Sequence, residues 1–99
     1  PRIAGQKACA GKGGIEVAEL YAPFTHQEIL LRRELGLNGD TRINPSGGVL
    51  AANPMMAAGL IRIGEAASCI HRGEAKRTLA HATSGPCLQQ NLVCVLEGE

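Results

Sequence analysis

The spacing of apolar and polar positions changes several times along the chain, and each change marks an element. Ile15-Glu16-Val17-Ala18-Glu19-Leu20 alternates apolar and acidic side chains, the period-2 signature of a strand, and Tyr21-Ala22-Pro23 ends it. Thr25-His26-Gln27-Glu28 has the form of a capping box. Ile29, Leu30, Leu31 and Leu35 give the helix behind it an apolar stripe, and Gly36 stops it. Residues 37–42, with Asn38-Gly39-Asp40, read as a surface loop.

The stretch from Ile43 to Gly73 organises the rest. Asn44-Pro45-Ser46-Gly47-Gly48 is a tight turn, because proline fixes φ and two glycines permit φ > 0. Residues 49–51 form an apolar run long enough for one short buried strand. Asn53-Pro54 opens a helix, with Asn capping free N–H groups and Pro at the first helical position. Met56, Leu60, Ile63, Ala67 and Ile70 recur at helical spacing, and Gly73 falls just past the end. Arg62, Glu65, Ser68 and Arg72 are the main polar side chains on this helix, so it is predicted to be buried on most sides, with Leu60 and Ile63 in the core.

Residues 78–83 form a strand broken by Ser84-Gly85-Pro86, and residues 88–96 form the last strand. The predicted order is strand, helix, strand, helix, strand, strand. That order implies an α/β fold with a mixed sheet, its first strands parallel and helices crossing over. Residues 1–14 alternate small and basic side chains with several glycines; they are expected to be a poorly ordered lead-in, leaving 15–99 as the domain.

Composition sharpens this picture in two ways. Apolar residues make up 44% of the 99, yet Tyr21 and Phe24 are the sole aromatics, so the core is thin. A chain of this kind is expected to be a fragment of something larger, which agrees with its start at Pro1, and alone to be marginally stable or a homo-oligomer through exposed apolar surface. A net charge of +1 with scattered basic residues gives no nucleic-acid footprint. No apolar run reaches the roughly 18 residues of a membrane span, and no secretory signal is visible. A cytoplasmic protein with reduced thiols is therefore expected. Cys9, Cys69, Cys87 and Cys94 follow no zinc spacing, so no metal site is predicted.

Candidate chemistry gathers where strands meet helices. Asn53 has two readings, a helix cap and a side-chain amide that donates to a developing oxyanion. His81, on the strand after the long helix, suits an acid or base or a satisfied half-buried imidazole. His26 faces either the same cleft or water, and His71 is explained by the dipole of a helix C-terminus. Cys87, in the loop before the last strand, is either a reactive thiol or an inert one.

These residues carry a family resemblance from about Ile15 to the end. Thiolases have an Asn-x-x-Gly-Gly turn, which Asn44-Pro45-Ser46-Gly47-Gly48 resembles. They follow it with Gly-His-Pro-x-Gly-Ala-x-Gly at the start of a buried helix, which Ala52-Asn53-Pro54-Met55-Met56-Ala57-Ala58-Gly59 resembles. The family's oxyanion-hole His falls on Asn53, and its inner Gly on Met56. Tyr21-Ala22-Pro23-Phe24 occupies the place of the family's Asn-Glu-Ala-Phe. Ser84-Gly85-Pro86-Cys87 resembles its Cys-x-Gly loop, with the family's Cys on Cys87 or, counted from the end, on Gly85. The similarity is nearest to the divergent branch called lipid-transfer proteins.

The resemblance implies a thiolase-like C-terminal half-domain that handles acyl-CoA or lipid-linked substrates. Coenzyme A thioester would be its substrate, with no bound cofactor of its own. Tyr21, Asn53, His81 and Cys87 become candidate catalytic groups, and Ser46, Gly47 and Gly48 the candidates for contacting the coenzyme. Tyr21 is alternatively a half-buried anchor at a strand end. The family's nucleophilic Cys belongs to an N-terminal half that these residues do not contain. Two functions follow: an acyltransferase or C–C-cleaving enzyme completed by that half, or a lipid or acyl-CoA binding or scaffolding subunit.

Overall fold

The segment around Val17 becomes the central strand of the sheet in the computed structural model, which describes Pro1–Glu99. Strands β1 (Val17–Glu19), β2 (Arg42–Ile43), β3 (Arg77–Ser84) and β4 (Gln90–Glu97) lie in the order β2-β1-β3-β4. β1 is parallel to both neighbours, with Val17 opposite Arg42 on one side and Thr78 on the other. β4 returns antiparallel to β3 as a hairpin. A strand paired on both edges and covered on both faces has no solvent side, so all of β1 is buried, Glu19 included. The result is a compact α/β domain with a mixed four-stranded sheet and four helices.

The second strand lies earlier than the sequence pattern places it. Residues 49–51 belong to a helical turn, α3 (Gly48–Ala51), and β2 precedes the glycine turn. Gly47 and Gly48 have φ of 93° and 60°, which swings the chain away from the sheet before Val49. A Cβ on Gly48 would also stand 2.9 Å from the Asn44 amide nitrogen. β1 finds its neighbour upstream instead, where Arg42 N–H donates to Glu16 O and Asn44 N–H to Ala18 O, both at 2.9 Å.

Two layers cover the sheet. On one side lie α1 (Arg2–Lys7) and α2 (Thr25–Glu34), with Leu31 of α2 and Leu35 just after it in one cluster with Ile15, Ala18, Leu20 and Leu79. The lead-in segment, to which the pattern assigned no element, thus carries a helix. Gly5 of α1 is buried, and a Cβ there would stand 2.8 Å from Leu35 Cδ2. Arg2 reaches Glu34 on α2 at 2.8 Å. α2 begins with Thr25 as a helical residue and Phe24 in the capping position, so the capping-box bond is not made. On the other side lies α4 (Ala58–His71), entered through a 3-10 turn at Met55–Ala57. Both α2 and α4 end as expected, at Gly36 and Gly73 with φ of 66° and 72°.

The predicted burial of α4 is corrected by its contacts. Its sheet-facing stripe is Ala58, Arg62, Ala66 and Cys69, small side chains apart from the arginine. Small residues let the helix approach closely: a Cβ on Gly59 would lie 2.8 Å from Ala82 Cβ. Leu60 is 74% exposed and Met56 99%. Leu60→Ala should therefore change the unfolding free energy by no more than about 0.5 kcal/mol in urea titration, because little apolar surface leaves the core. A loss of roughly 2 kcal/mol or more would mean that Leu60 is buried in solution.

Candidate functional site

β1, β2 and β3 are parallel, so their C-terminal ends open on one edge of the sheet, where crevices form in α/β proteins. The glycine turn after β2 is anchored there by side chains. Asn44, in the left-handed region at φ 48°, accepts the Leu20 N–H through Oδ1 at 2.6 Å and so extends the β1–β2 ladder by one step. Glu19, fully buried, accepts the Ser46 backbone N–H at 3.1 Å and the Ser46 hydroxyl at 2.8 Å. Arg62 Nη1 completes the cluster, 2.9 Å from Glu19 Oε2 and 3.2 Å from Ser46 Oγ. Gly48 N–H donates to Ser46 Oγ at 3.2 Å and Gly47 N–H to Asn44 O at 2.8 Å. These donors of Ser46, Gly47 and Gly48, expected to contact the coenzyme, are already engaged within the protein.

Tyr21 and Asn53 meet beside this turn. Asn53 Nδ2 lies 3.5 Å from the Tyr21 hydroxyl, and Asn53 Oδ1 accepts the Met55 N–H at 3.2 Å. The second bond fixes the amide: the oxygen serves the backbone and the NH₂ faces Tyr21. Pro54, rather than Asn53, holds the N-cap position of the 3-10 turn, so the expected helix cap is replaced by an Asx turn over Pro54, and Asn53 offers its amide donors in the same pose. With Tyr21 accepting from Asn53, the phenolic hydrogen is free to donate outward. Two polarised donors stand side by side at the strand ends.

His81 lies on the opposite face. Strand alternation sends Glu19 and Thr78 toward α4, where Thr78 Oγ1 donates to Ala66 O, and sends Leu79 and His81 toward α2. Tyr21 N–H donates to His81 O at 3.2 Å, so the two are ladder neighbours with diverging side chains. A cavity of about 260 Å³ is lined by both, together with His26, Gln27, Leu30 and Leu88, and Asn53 is not in its lining.

The His81 tautomer follows from its partner. Asn91 Nδ2 donates to Leu88 O and Gln89 O, which turns Asn91 Oδ1 toward His81 Nε2 at 2.9 Å. Nε2 must carry the proton, leaving Nδ1 as a lone pair, and Nδ1 has no partner. Burial, leaving 2% of the residue exposed, pushes the imidazole below its ordinary value near 6.5. An unfolded chain therefore binds this proton more readily than the folded one. The stability associated with neutral His81 is complete above pH 6.5 and is lost as pH falls toward the depressed native value. Unfolding free energy measured in urea should decline as pH is lowered from about 7.5 to 5.5, and His81→Asn should flatten that decline. An unchanged slope in the variant would exclude His81 as its source.

The remaining candidates scatter. Cys87 is exposed at φ 53° in the 3-10 turn Pro86–Leu88, and the cavity is lined by Leu88 rather than by Cys87. Gly85, the other position for the family's Cys, precedes that turn. His26 is exposed and stacks on Phe24 with ring centroids 5.8 Å apart. His71 is exposed in the last turn of α4. All four cysteines are free thiols, and no three His, Cys, Asp or Glu side chains gather as a metal cluster. No helix is long and apolar enough to cross a membrane.

Glu19 and Arg62 are the residues that sequence reasoning missed. Glu19 stands in the sequence as the acidic phase of an alternating strand and Arg62 as one of the few polar side chains of the long helix, and the available signal was an acid and a base set within otherwise apolar stretches. No family model, curated protein or solved structure matches the chain.

Proposed function

We propose that this chain is the C-terminal α/β part of a thiolase-like protein that handles acyl-CoA or lipid-linked thioesters, supplying oxyanion donors while another segment supplies the nucleophile. The observation that carries this reading is the Tyr21–Asn53 pair, 3.5 Å apart at the C-terminal edge of the parallel strands. A thioester oxygen placed against the pair would accept the phenolic O–H and a free Asn53 N–H as charge develops on it. The bonds around Asn44, Glu19 and Arg62 hold the neighbouring turn rigid, which suits donors that must not reorganise during reaction. Exposed Leu50, Met55, Met56 and Leu60 around the start of α4 offer apolar surface against which a thiolase-like N-terminal half would dock.

Exposed Cys87, outside the cavity lining, favours a second reading in which the chain binds thioesters without turning them over. Tyr21 is the sole fluorophore, since the chain has one Tyr and no Trp. Titration with an acyl-pantetheine thioester should give a saturable change in tyrosine emission that Asn53→Ala abolishes. No response up to millimolar ligand would overturn both readings. Binding together with thioester cleavage, once the nucleophile-bearing half is added, would select the enzyme over the carrier.

A further inference from the structure

The outer edge of β4 reads the same in both directions. Its central residues are Leu92-Val93-Cys94-Val95-Leu96, a palindrome about Cys94. β4 is an eight-residue strand at the rim of the sheet, paired with β3 alone. Edges of this kind are normally blunted by charge, proline or a bulge. Here the only charge on the strand is Glu97 at its very end: from Gln90 to Leu96 there is no charged residue and no proline, and the β3–β4 register runs without interruption from Ser84↔Gln90 to Arg77↔Glu97.

We infer that β4 is a self-association edge that pairs antiparallel with β4 of a second copy, centred on Cys94, to give a continuous eight-stranded sheet. In that register Leu92 faces Leu96 of the other copy, Val93 faces Val95, and Cys94 faces its own twin. Every cross-strand pair in the centre is apolar and matched. Opposite residues of an antiparallel pair share a face, so the two-fold arrangement preserves the layering of each copy. Val93 and Val95 already border the core beneath α1 and α2. Leu92, Cys94 and Leu96 pair with Ala82, Ala80 and Thr78 on the α4 side. Leu92, 51% exposed in the single chain, gains an apolar neighbour on that side. The occupant is a second copy because no other strand need be complementary to this one, whereas its own reverse is. The inference uses β4 alone and stands apart from the thioester reading.

The register makes one bond diagnostic. Residues directly opposite in an antiparallel pair have Cα atoms about 4.5 or 5.5 Å apart, within the roughly 4.4–6.8 Å that a disulfide spans. In a Cys9→Ser/Cys87→Ser background, Cys94 and buried Cys69 are the remaining thiols. Sedimentation should show a reversible dimer, and diamide should oxidise two thiols to one disulfide, shown by peptide mapping to join Cys94 to Cys94. Leu92→Lys should raise the dimer dissociation constant by about tenfold, through the loss of two cross-strand Leu pairs. Should that variant fail to fold, the position of the cross-link in the folded background decides. A monomer up to millimolar concentration, or a dimer that diamide does not link through Cys94, overturns the proposal.

Discussion

Arg62→Ala should lower the unfolding free energy by about 3–5 kcal/mol, the cost of leaving a buried carboxylate without its cation. The two side chains are 5% and 0% exposed, so water cannot take the place of the guanidinium. The loss should exceed that of any single apolar truncation on α4, whose buried side chains other than Arg62 are Ala58, Ala66 and Cys69. Replacing both partners by leucine should recover part of the loss, since no charge is then buried. It should not recover all of it, because the Ser46 amide and hydroxyl lose the oxygens they now donate to. Urea unfolding of the single and double variants measures both differences. A loss below about 1 kcal/mol for Arg62→Ala would place the pair in the class of solvated surface bridges.

Asn53→Ala should cut turnover by about 10²–10³ in the thiolase-like enzyme proposed here, the usual effect of removing one oxyanion donor. Its effect on stability should be near 1 kcal/mol, because the same side chain accepts the Met55 N–H. The two roles separate in one experiment, with kcat for the first and urea unfolding for the second. Asn53→Asp keeps the accepting oxygen and removes the donor, so it should lose turnover while retaining most of the stability. Wild-type kcat in Asn53→Asp would make Asn53 a turn residue and nothing more.

The parts of the fold legible in the sequence are those where one periodicity dominates. α2, β3, β4 and the glycine stops of α2 and α4 follow from apolar spacing and φ demands. β2 was illegible because two residues carry no period; backbone bonds to β1 define it, and the more apolar run at Val49 drew the assignment instead. The burial of α4 was misread for a different reason. Its apolar residues occupy nearly every side, so spacing alone selects no inward face. Close approach to the sheet selects it, through Gly59 and small alanines, and places Arg62 inside. Of the site, Tyr21 and Asn53 were visible as residues, but their proximity depends on a turn held by Glu19. A charge buried by its partner leaves no mark in a hydropathy pattern.

The position of β1 has a consequence for how the chain reaches this state. The middle strand of the sheet precedes both of its partners along the chain: Val17 pairs with Arg42 on one side and with Thr78 on the other. A nascent chain that ends before Arg77 exposes an apolar strand with an empty edge and no α4–β3 layer to shield it. Local contacts between α4, β3 and the β4 hairpin can form first, and the earlier strand must then enter a slot between β2 and β3. Loop closure of this length slows folding rather than weakening the final state. The sheet can therefore be complete only once β3 is present, because β1 has no partner on its second edge before Thr78.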